Sequence, residues 1–558
     1  RERRLVPASG LDVPPRLPKN LCMSENSKRE NREILFVSTR VQQRTWEERS
    51  ENVTDGNADM NADRKADESV VPAKSANNGT TDVPAESAEE RDSTKRNAQQ
   101  TDLPRTPGRI KRRSHGLLGV REAARKDSTL KFTALLHHVN EDRLTEAFFH
   151  LKKTAAVGVD EVTWHEYERN VEANIVGLHD RIHRGAYRAK PSLRMWIPKP
   201  DGRKRPLGIA SLEDKIVQQA VLWVLTAIYE QDFLGFSYGF RPGRSNHQAL
   251  DALSVALTSK RVDWVLDADI EGFFDNIDHA WLMKFLEHRI GDRRILRLIR
   301  KWLTAGISED GEWSKTTVGT PQGAVISPLL ANVCLHYVLD LWVQWWRKHR
   351  GRGDVVCIRY ADDFVIGFEH RTEAEACLEA LRVRFAKFGL KLHDTKTQLI
   401  EFGRFAADRR AKRGEEPPET FDFLGFTHRC GKSRSKGWFT IERTTIAKRM
   451  RATLSALKQK LHKRMHRPLG ETARWLRSVV QGWLGYHAIP GNQRRMSQFM
   501  DEVSKHWLQT LRQRSQNGQK RWTWTRMRRL IRRHLPKPRV LHPYPEQRFR
   551  ARLLVGAV

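Results

Sequence analysis

The sequence predicts an α+β fold over residues 128–430 followed by a basic helical region, and three observations lead to that expectation. Helical and strand-like periods alternate between about Ser128 and Gly431 without an internal repeat. Beyond Phe439 the apolar spacing reads as purely helical, and residues 41–110 hold scarcely a hydrophobic pair. The 558 residues allow about three or four domains at roughly 100 to 200 residues each. A stretch rich in Asn, Asp, Glu, Ser and Ala cannot offset the entropy of ordering itself. Residues 1–127 are therefore expected to be a largely disordered extension.

Order is expected from about Ser128, where Leu130, Phe132, Leu135 and Leu136 begin a helical pattern that runs through Leu144, Phe148 and Leu151. Residues 194–209 read as a β-hairpin around Asp201-Gly202, a favoured tight-turn pair, with Lys199 and Arg205 on its arms. The run Trp264-Val265-Leu266 leads as a strand into Asp267-Ala268-Asp269. Residues 355–367 place two apolar β-type runs around Tyr360-Ala361-Asp362-Asp363, a hairpin with adjacent carboxylates at its tip. Ile446, Met450, Leu454, Leu457 and Leu461 then mark one face of a helix whose other face is cationic. A second helix is expected over residues 471–486, with Pro490 and Gly491-Asn492 as its stop. Four prolines between Pro536 and Pro545 favour an extended, arm-like end with no compact fold.

The chain carries 100 Lys and Arg against 67 Asp and Glu, a net charge of +33. Residues 1–110 balance at 19 of each sign, whereas residues 431–558 hold 31 basic and 5 acidic side chains. Such a field attracts polyanions, and the interleaved Trp, Tyr and His favour nucleic acid over a membrane surface. No stretch approaches the ~18 consecutive apolar residues of a membrane span. The five cysteines, Cys22, Cys334, Cys357, Cys377 and Cys430, form no C-x-x-C pair, which excludes a zinc module and fits reduced thiols. A soluble protein of the cytoplasm, bacterial cytoplasm or nucleoid in particular, is the expectation.

The carboxylates carry the chemistry. Asp362 and Asp363 repel one another, and Asp267 and Asp269 fall on one strand face by the period of two. Side by side, the two segments bring at least three acids together. Such a cluster suits two Mg²⁺ ions about 3.5 to 4 Å apart, one lowering the pKa of an attacking hydroxyl and the other neutralising a leaving pyrophosphate. Nucleotidyl transfer is the reaction class that follows.

At these residues the sequence resembles a known family. Tyr360-Ala361-Asp362-Asp363 is similar to the catalytic box of reverse transcriptases, and the blocks around it resemble group II intron-encoded reverse transcriptase/maturases over roughly residues 130 to 550. In order they are Gly158-Val159-Asp160, Ile197-Pro198-Lys199-Pro200-Asp201-Gly202, Tyr238-Gly239-Phe240-Arg241-Pro242-Gly243-Arg244-Ser245 and Asp269-Ile270-Glu271-Gly272-Phe273-Phe274-Asp275. Gly319-Thr320-Pro321-Gln322-Gly323, the acidic box, Gly389-Leu390-Lys391-Leu392 with Lys396, and Phe423-Leu424-Gly425-Phe426 complete the series.

The resemblance implies a right-hand polymerase, with fingers and palm over residues 128–430, an α-helical thumb or maturase domain over 431–500 and a basic DNA-binding segment over 501–558. It implies Asp269, Asp362 and Asp363 as the catalytic, Mg²⁺-binding acids and leaves Asp267 structural. Phe274 matches the residue that excludes a 2′-hydroxyl, while Phe273 reads as core. Lys199, Arg205, Gln322 and Lys396 are the implied nucleotide contacts. Arg241 and Arg244 stay open between phosphate contact and salt bridging.

In the helical region Trp483 and Tyr486 read as packing residues. Lys448, Arg449, Arg451, Arg494 and Arg495 are the expected RNA contacts, and Arg526, Arg528, Arg529, Arg532 and Arg533 the expected DNA contacts. The implied function is RNA-directed DNA polymerisation together with binding of intron RNA in splicing and mobility. Group II intron RNA, an RNA template, a DNA primer or target and deoxynucleoside triphosphates are the implied partners, with a homodimer left open. Some members of the family end in a nuclease module with paired cysteines. No cysteine follows Cys430 here, so the primer is expected from elsewhere, such as a replication fork. A splicing-only maturase and a domesticated relative in DNA repair or phage defence are the alternatives.

Overall fold

The computed structural model describes residues 115–198, 204–309, 311–433 and 437–548. Lys199, the Asp201-Gly202 turn and residues 1–114 of the extension lie outside the described residues. The strands among the described residues are β1 (Ser192–Pro198), β2 (Lys204–Ile209), β3 (Trp264–Asp269), β4 (Ile307–Glu309), β5 (Glu312–Ser314), β6 (Val355–Tyr360), β7 (Asp363–Phe368), β8 (Gln398–Glu401), β9 (Phe421–Phe423), β10 (Phe426–Lys432) and β11 (Phe439–Thr445). They form three sheets, ordered β2-β1-β4-β5, β6-β7-β3-β8 and β11-β10-β9. With helices between them, the α+β expectation holds.

Both hairpins read from the sequence are present. β1 and β2 pair from Leu193↔Ile209 to Pro198↔Lys204, and β6 and β7 pair from Val355↔Phe368 to Tyr360↔Asp363. The central sheet is buried on both faces, which is why its strands read as nearly unbroken apolar runs. Leu266, Ala268, Cys357, Phe364, Ile366 and Phe368 enter one core, with helices such as Arg371–Lys387. Val265, Val356, Ile358, Val365 and Ile400 enter a second, with the helix Asn246–Ser259 and strands β9 to β11. By strand alternation Tyr360, Asp363, Asp267 and Asp269 belong to this second face.

Beneath the β6–β7 turn lies a fully buried arginine. Arg359 donates from Nε and Nη2 to the two carboxylate oxygens of Asp340, each at 2.6 Å. Its remaining donors reach Asn332 Oδ1 and the Ala361 carbonyl at 3.0 Å and Ser237 Oγ at 2.7 Å. All five guanidinium hydrogens are thus used. A π-helical turn, His336–Asp340, interrupts the helical path between Ser327–Leu335 and Leu341–His349 and ends on Asp340, so the acid meets the sheet. Through the Ala361 carbonyl the arginine grips the turn itself, where Ala361 stands at φ 58°, a conformation usually left to glycine.

Three expected boundaries shift. Order begins before Ser128: the helix His115–Lys126 buries Val120 and Ala124 and packs on the helix Leu212–Asp232. The 430/431 boundary falls inside β10, and Phe439–Thr445, expected to open the helical region, is a strand paired along its length with β10. Its alternating Phe, Ile and Thr favour a pleated surface. Helix proper starts at Ala447, and Met450, Leu454, Leu457 and Leu461 are buried as their spacing requires. The second helix, Leu469–His487, matches its expected span.

The 500/501 boundary also fails, because the helix Gln493–Arg512 crosses it and buries Val503, Trp507, Leu508 and Leu511. A short helix, Trp524–His534, completes that core with Met527. Only residues 536–544 run without helix or strand; a helical turn over 545–548 follows, and the segment returns to the body of the protein instead of projecting as an arm. The Leu541 amide donates to the Ala488 carbonyl at 2.9 Å, the His542 ring stacks on His247 at 3.8 Å, and Arg548 Nε lies 2.8 Å from Asp251 Oδ2. Asp251 is also bonded by Arg443 of β11 at 2.8 Å.

Two tests follow. Breaking the Arg359–Asp340 pair with Arg359→Met leaves a buried carboxylate unpartnered, and stability should fall by about 3 to 5 kcal/mol. The joint change Arg359→Met with Asp340→Leu should recover a large part of that loss in a denaturant melt. The second test concerns His428, buried in β10 and stacked on Phe421 at 4.8 Å. Burial first, and then Arg443, hold its pKa at about 3. The unfolded chain takes up this proton near pH 6.5, so the stabilisation is complete above that pH and is lost as pH falls through the window from about 6.5 to 3. At pH 5 the loss is about 2 kcal/mol. His428→Phe should flatten this part of the slope in melts between pH 7 and 5, while His138 and His487, both held at about 4 chiefly by burial, go on contributing with the same sign.

Candidate active site

The antiparallel register of β3 and β7 sets Asp269 directly opposite Asp363. Like charges in cross-strand positions destabilise a sheet. Asp362, in the turn, stands beside both. Burial raises its pKa, with Asp269 adding and Arg205 and Arg359 opposing. Asp363 is pushed to about 8 by burial and then by Asp267, Asp269 and Asp362, against Arg449. Asp267, expected to be structural, belongs to the same electrostatic cluster: burial, Asp422 and Asp269 push it to about 7. The period of two had already set it on the face of Asp269.

Among the described residues a lysine is paired within the cluster. Lys396, expected to touch a phosphate, is ion-paired with Asp269 Oδ2, and the nearby His393 amide donates to the Asp269 carbonyl at 2.8 Å. Among the described residues no three Asp, Glu, His or Cys side chains close on a common point as a finished metal cage. The donor chemistry nevertheless fits a hard divalent cation: neighbouring, half-buried carboxylate oxygens that repel one another, with the pKa of Asp267, Asp362 and Asp363 raised.

On the side of the first sheet, Arg205 Nε donates to Gln322 Oε1 at 2.7 Å, and Gln322 Nε2 donates to the Asp275 carboxylate at 3.3 Å. Phe274 is half-buried, and its carbonyl accepts the Thr320 amide at 2.8 Å, while Phe273 is buried in the core. The Gly319 backbone, at φ 83°, passes so close that a Cβ there would lie 2.8 Å from the Asp275 carbonyl oxygen. Three expected nucleotide contacts, Arg205, Phe274 and Gln322, are thereby drawn together, with Arg205 in electrostatic reach of Asp362.

Arg241 settles on the structural side of its two readings. It is buried, donates to Glu230 at 3.1 to 3.2 Å and to the carbonyls of Leu234 and Ser237 at 2.7 Å. Arg244 donates to the Gly235 carbonyl and lies over the Tyr238 ring at 5.1 Å.

The expected RNA contacts Lys448, Arg449 and Arg451 are exposed on the helix Ala447–Lys463. Arg449 stands nearest the carboxylates, in electrostatic reach of Asp363. Arg494 is exposed, and Arg495 donates to Gln498 at 3.1 Å. Arg526, Arg528, Arg529, Arg532 and Arg533 are all exposed on the helix Trp524–His534. Trp483 packs as expected, stacked on Phe499 at 3.7 Å, and the Tyr486 hydroxyl donates to the Leu424 carbonyl at 2.7 Å. Sequence reasoning missed Arg359 and Asp340. An arginine inside an otherwise apolar strand was the available signal.

The family described as reverse transcriptase (RNA-dependent DNA polymerase) matches residues 197–428, which span all the candidate acids. Protein YkfC of Escherichia coli K12 is 34% identical over 295 residues, 46% of this chain and 77% of that protein. The group II intron-encoded protein LtrA of Lactococcus lactis subsp. cremoris is 41% identical over 186 residues, 32% of this chain and 30% of LtrA. The nuclear intron maturase 2, mitochondrial, of Arabidopsis thaliana is 27% identical over 172 residues, 24% of this chain and 23% of that protein. The chain thus spans less than a third of these two intron-related proteins but most of YkfC. With a reverse transcriptase domain built around these acids, the chain belongs to the group II intron-encoded reverse transcriptase/maturase family.

Proposed function

We propose that this chain copies RNA into DNA at Asp269, Asp362 and Asp363, and that its basic helical region binds intron RNA in support of splicing and mobility. The direct pairing of Asp269 with Asp363 beside Asp362 carries the reading, because three crowded, half-buried carboxylates are stable together only with cations to offset them. Mg²⁺ held by these acids would supply the activated primer hydroxyl and the neutralised pyrophosphate. The protein's own residues position the reactants. Arg205 takes a phosphate of the incoming nucleotide and is oriented by Gln322, whose amide is in turn held by Asp275. Lys199, outside the described residues, is the second proposed phosphate contact. Phe274 closes the sugar site against a 2′-hydroxyl. Lys396, paired with Asp269, would be released toward the phosphates if Mg²⁺ took its place on that carboxylate.

In right-hand terms, the β1–β2 sheet serves as fingers, the central sheet as palm and the helices from Ala447 onward as thumb. The helix bearing Lys448, Arg449 and Arg451 and the residues Arg494 and Arg495 contact RNA phosphates. The arginines of Trp524–His534 contact DNA. Splicing chemistry stays with the RNA, and the protein supplies binding energy to its active form.

Primer extension on an RNA template with Mg²⁺ and deoxynucleotides tests the polymerase. Asp362→Ala should reduce extension by about a hundredfold or more while intron RNA binding is retained. Extension that survives the substitution would remove these acids from the chemistry. Duplex binding should weaken linearly in log–log plots against salt, and replacing Arg528, Arg529 and Arg532 by alanine should lower that slope by about 0.9 for each phosphate that is no longer neutralised. An unchanged slope would take this helix out of the DNA interface.

A further inference from the structure

Four residues other than glycine hold a positive φ among the described residues, and three of them, Phe240, Ala361 and Leu424, stand around the acidic turn. Ala361 lies in the turn, and Leu424 is bonded through its carbonyl to Tyr486. Phe240 stands in the Gly239-Phe240 turn and carries the bulkiest side chain of the three. A bulky aromatic at φ 58° is strained, and its side chain is 54% exposed.

The backbone on both sides of Phe240 is fixed. A Cβ on Gly239 would overlap the Ala361 amide nitrogen, so the chain at this point lies against the acidic turn. The next residue, Arg241, is clamped by Glu230 and three backbone carbonyls. The strain is therefore imposed by buried anchors, and its product is one exposed ring held 6.5 Å from the ring of Tyr360. Hydrophobic burial cannot be its purpose.

The location selects the ligand. Arg205 and Gln322 approach Asp362 from the side of the first sheet, where the nucleotide phosphates are assigned. The chain after Phe240 leads into the helix Asn246–Ser259, whose first turn meets the C-terminal helices: Asn246 Nδ2 donates to the Tyr486 hydroxyl at 3.4 Å, and the His247 ring meets the Tyr486 carbonyl at 2.8 Å. Arg449, in reach of Asp363, lies on this side also. The exposed ring thus borders the strand that ends at the acids, not the nucleotide that enters over them.

We propose that Phe240 is a direct contact for the 3′-terminal nucleoside of the primer, its ring packing against the sugar and base and holding the terminal hydroxyl at the acidic turn. The inference rests on the polymerase reading above. An aromatic face suits it because every base offers a π-surface, so the contact is independent of sequence.

The test uses Phe240→Gly and Phe240→Trp in the full chain. Glycine adopts φ 58° freely, so Phe240→Gly should melt at the parent's temperature or above. It should nonetheless weaken binding of a primer–template duplex roughly tenfold and raise the KM for that duplex, with the KM for deoxynucleotide unchanged. Phe240→Trp should retain binding. A primer whose last nucleotide is abasic should bind the parent more weakly than an intact one, and Phe240→Gly should erase that difference.

Equal binding by parent and glycine variant would overturn the proposal, as would equal losses on intact and abasic primers. Sensitivity to an abasic template residue instead of the primer residue would assign the ring to the template and overturn it too. Because duplex binding is read without catalysis, failure of the polymerase reading appears separately, as a parent that binds but does not extend.

Discussion

The arrangement of the acids depends on one buried ion pair. Arg359 and Asp340 lie under the β6–β7 turn, and each would be intolerable there alone. Together they form a rigid fork that uses every guanidinium hydrogen and holds the turn by the Ala361 carbonyl. The grip has to be strong because the turn opposes it twice, through the left-handed backbone of Ala361 and through the crowding of Asp362, Asp363 and Asp269. Ser237 and Asn332 join the same guanidinium, and Asn332 also donates to the Gly239 carbonyl at 2.8 Å. A single cation therefore ties together the acidic turn, the segment Ser237–Gly239 and the long helical path beneath the sheet.

Much of this was legible in the sequence, and the reasons differ by element. The central strands announced themselves because burial on both faces leaves an apolar run that few other structures require. The acids stood out because charge at a hairpin tip is costly without a cation. What stayed hidden was the partner of each buried charge. Asp340 sits in a helical stretch whose sequence says nothing of a π turn, and Arg359 touches it only after folding. Lys396 was visible as a cation but not as the partner of Asp269, since 127 residues separate them. Arg241 showed the opposite failure: an arginine in a Pro-Gly turn suits a surface phosphate contact, yet its guanidinium is spent on Glu230. The boundaries slipped where strand and helix signals overlap, as in Phe439–Thr445, and where a basic surface masks a helix with a good core, as in Gln493–Arg512.

Charge is divided in this protein with little mixing. The acids that matter are few, clustered and half-buried, while the exposed faces of the helices after Ala447 are cationic. A polyanion approaching from solvent meets attraction first, and only its reactive end reaches the negative site. There the protein's own cations stand at the edges, Arg205 on one side and Arg449 on the other. The same pattern explains why Lys396 is paired with Asp269: at an acidic centre in a basic protein, the nearest flexible ammonium completes the balance.

The return of the segment around Arg548 to Asp251 has a consequence for biosynthesis. A ribosome delivers the helix Asn246–Ser259 long before either of its cationic partners: Arg443 follows Asp251 by 192 positions, a delay of about 10 to 40 s at ordinary elongation speeds, and Arg548 comes later still. During that interval Asp251 has neither arginine, and a lone carboxylate resists burial. The helix that closes one face of the acid-bearing sheet thus completes its charge pairing only after β11 has left the ribosome.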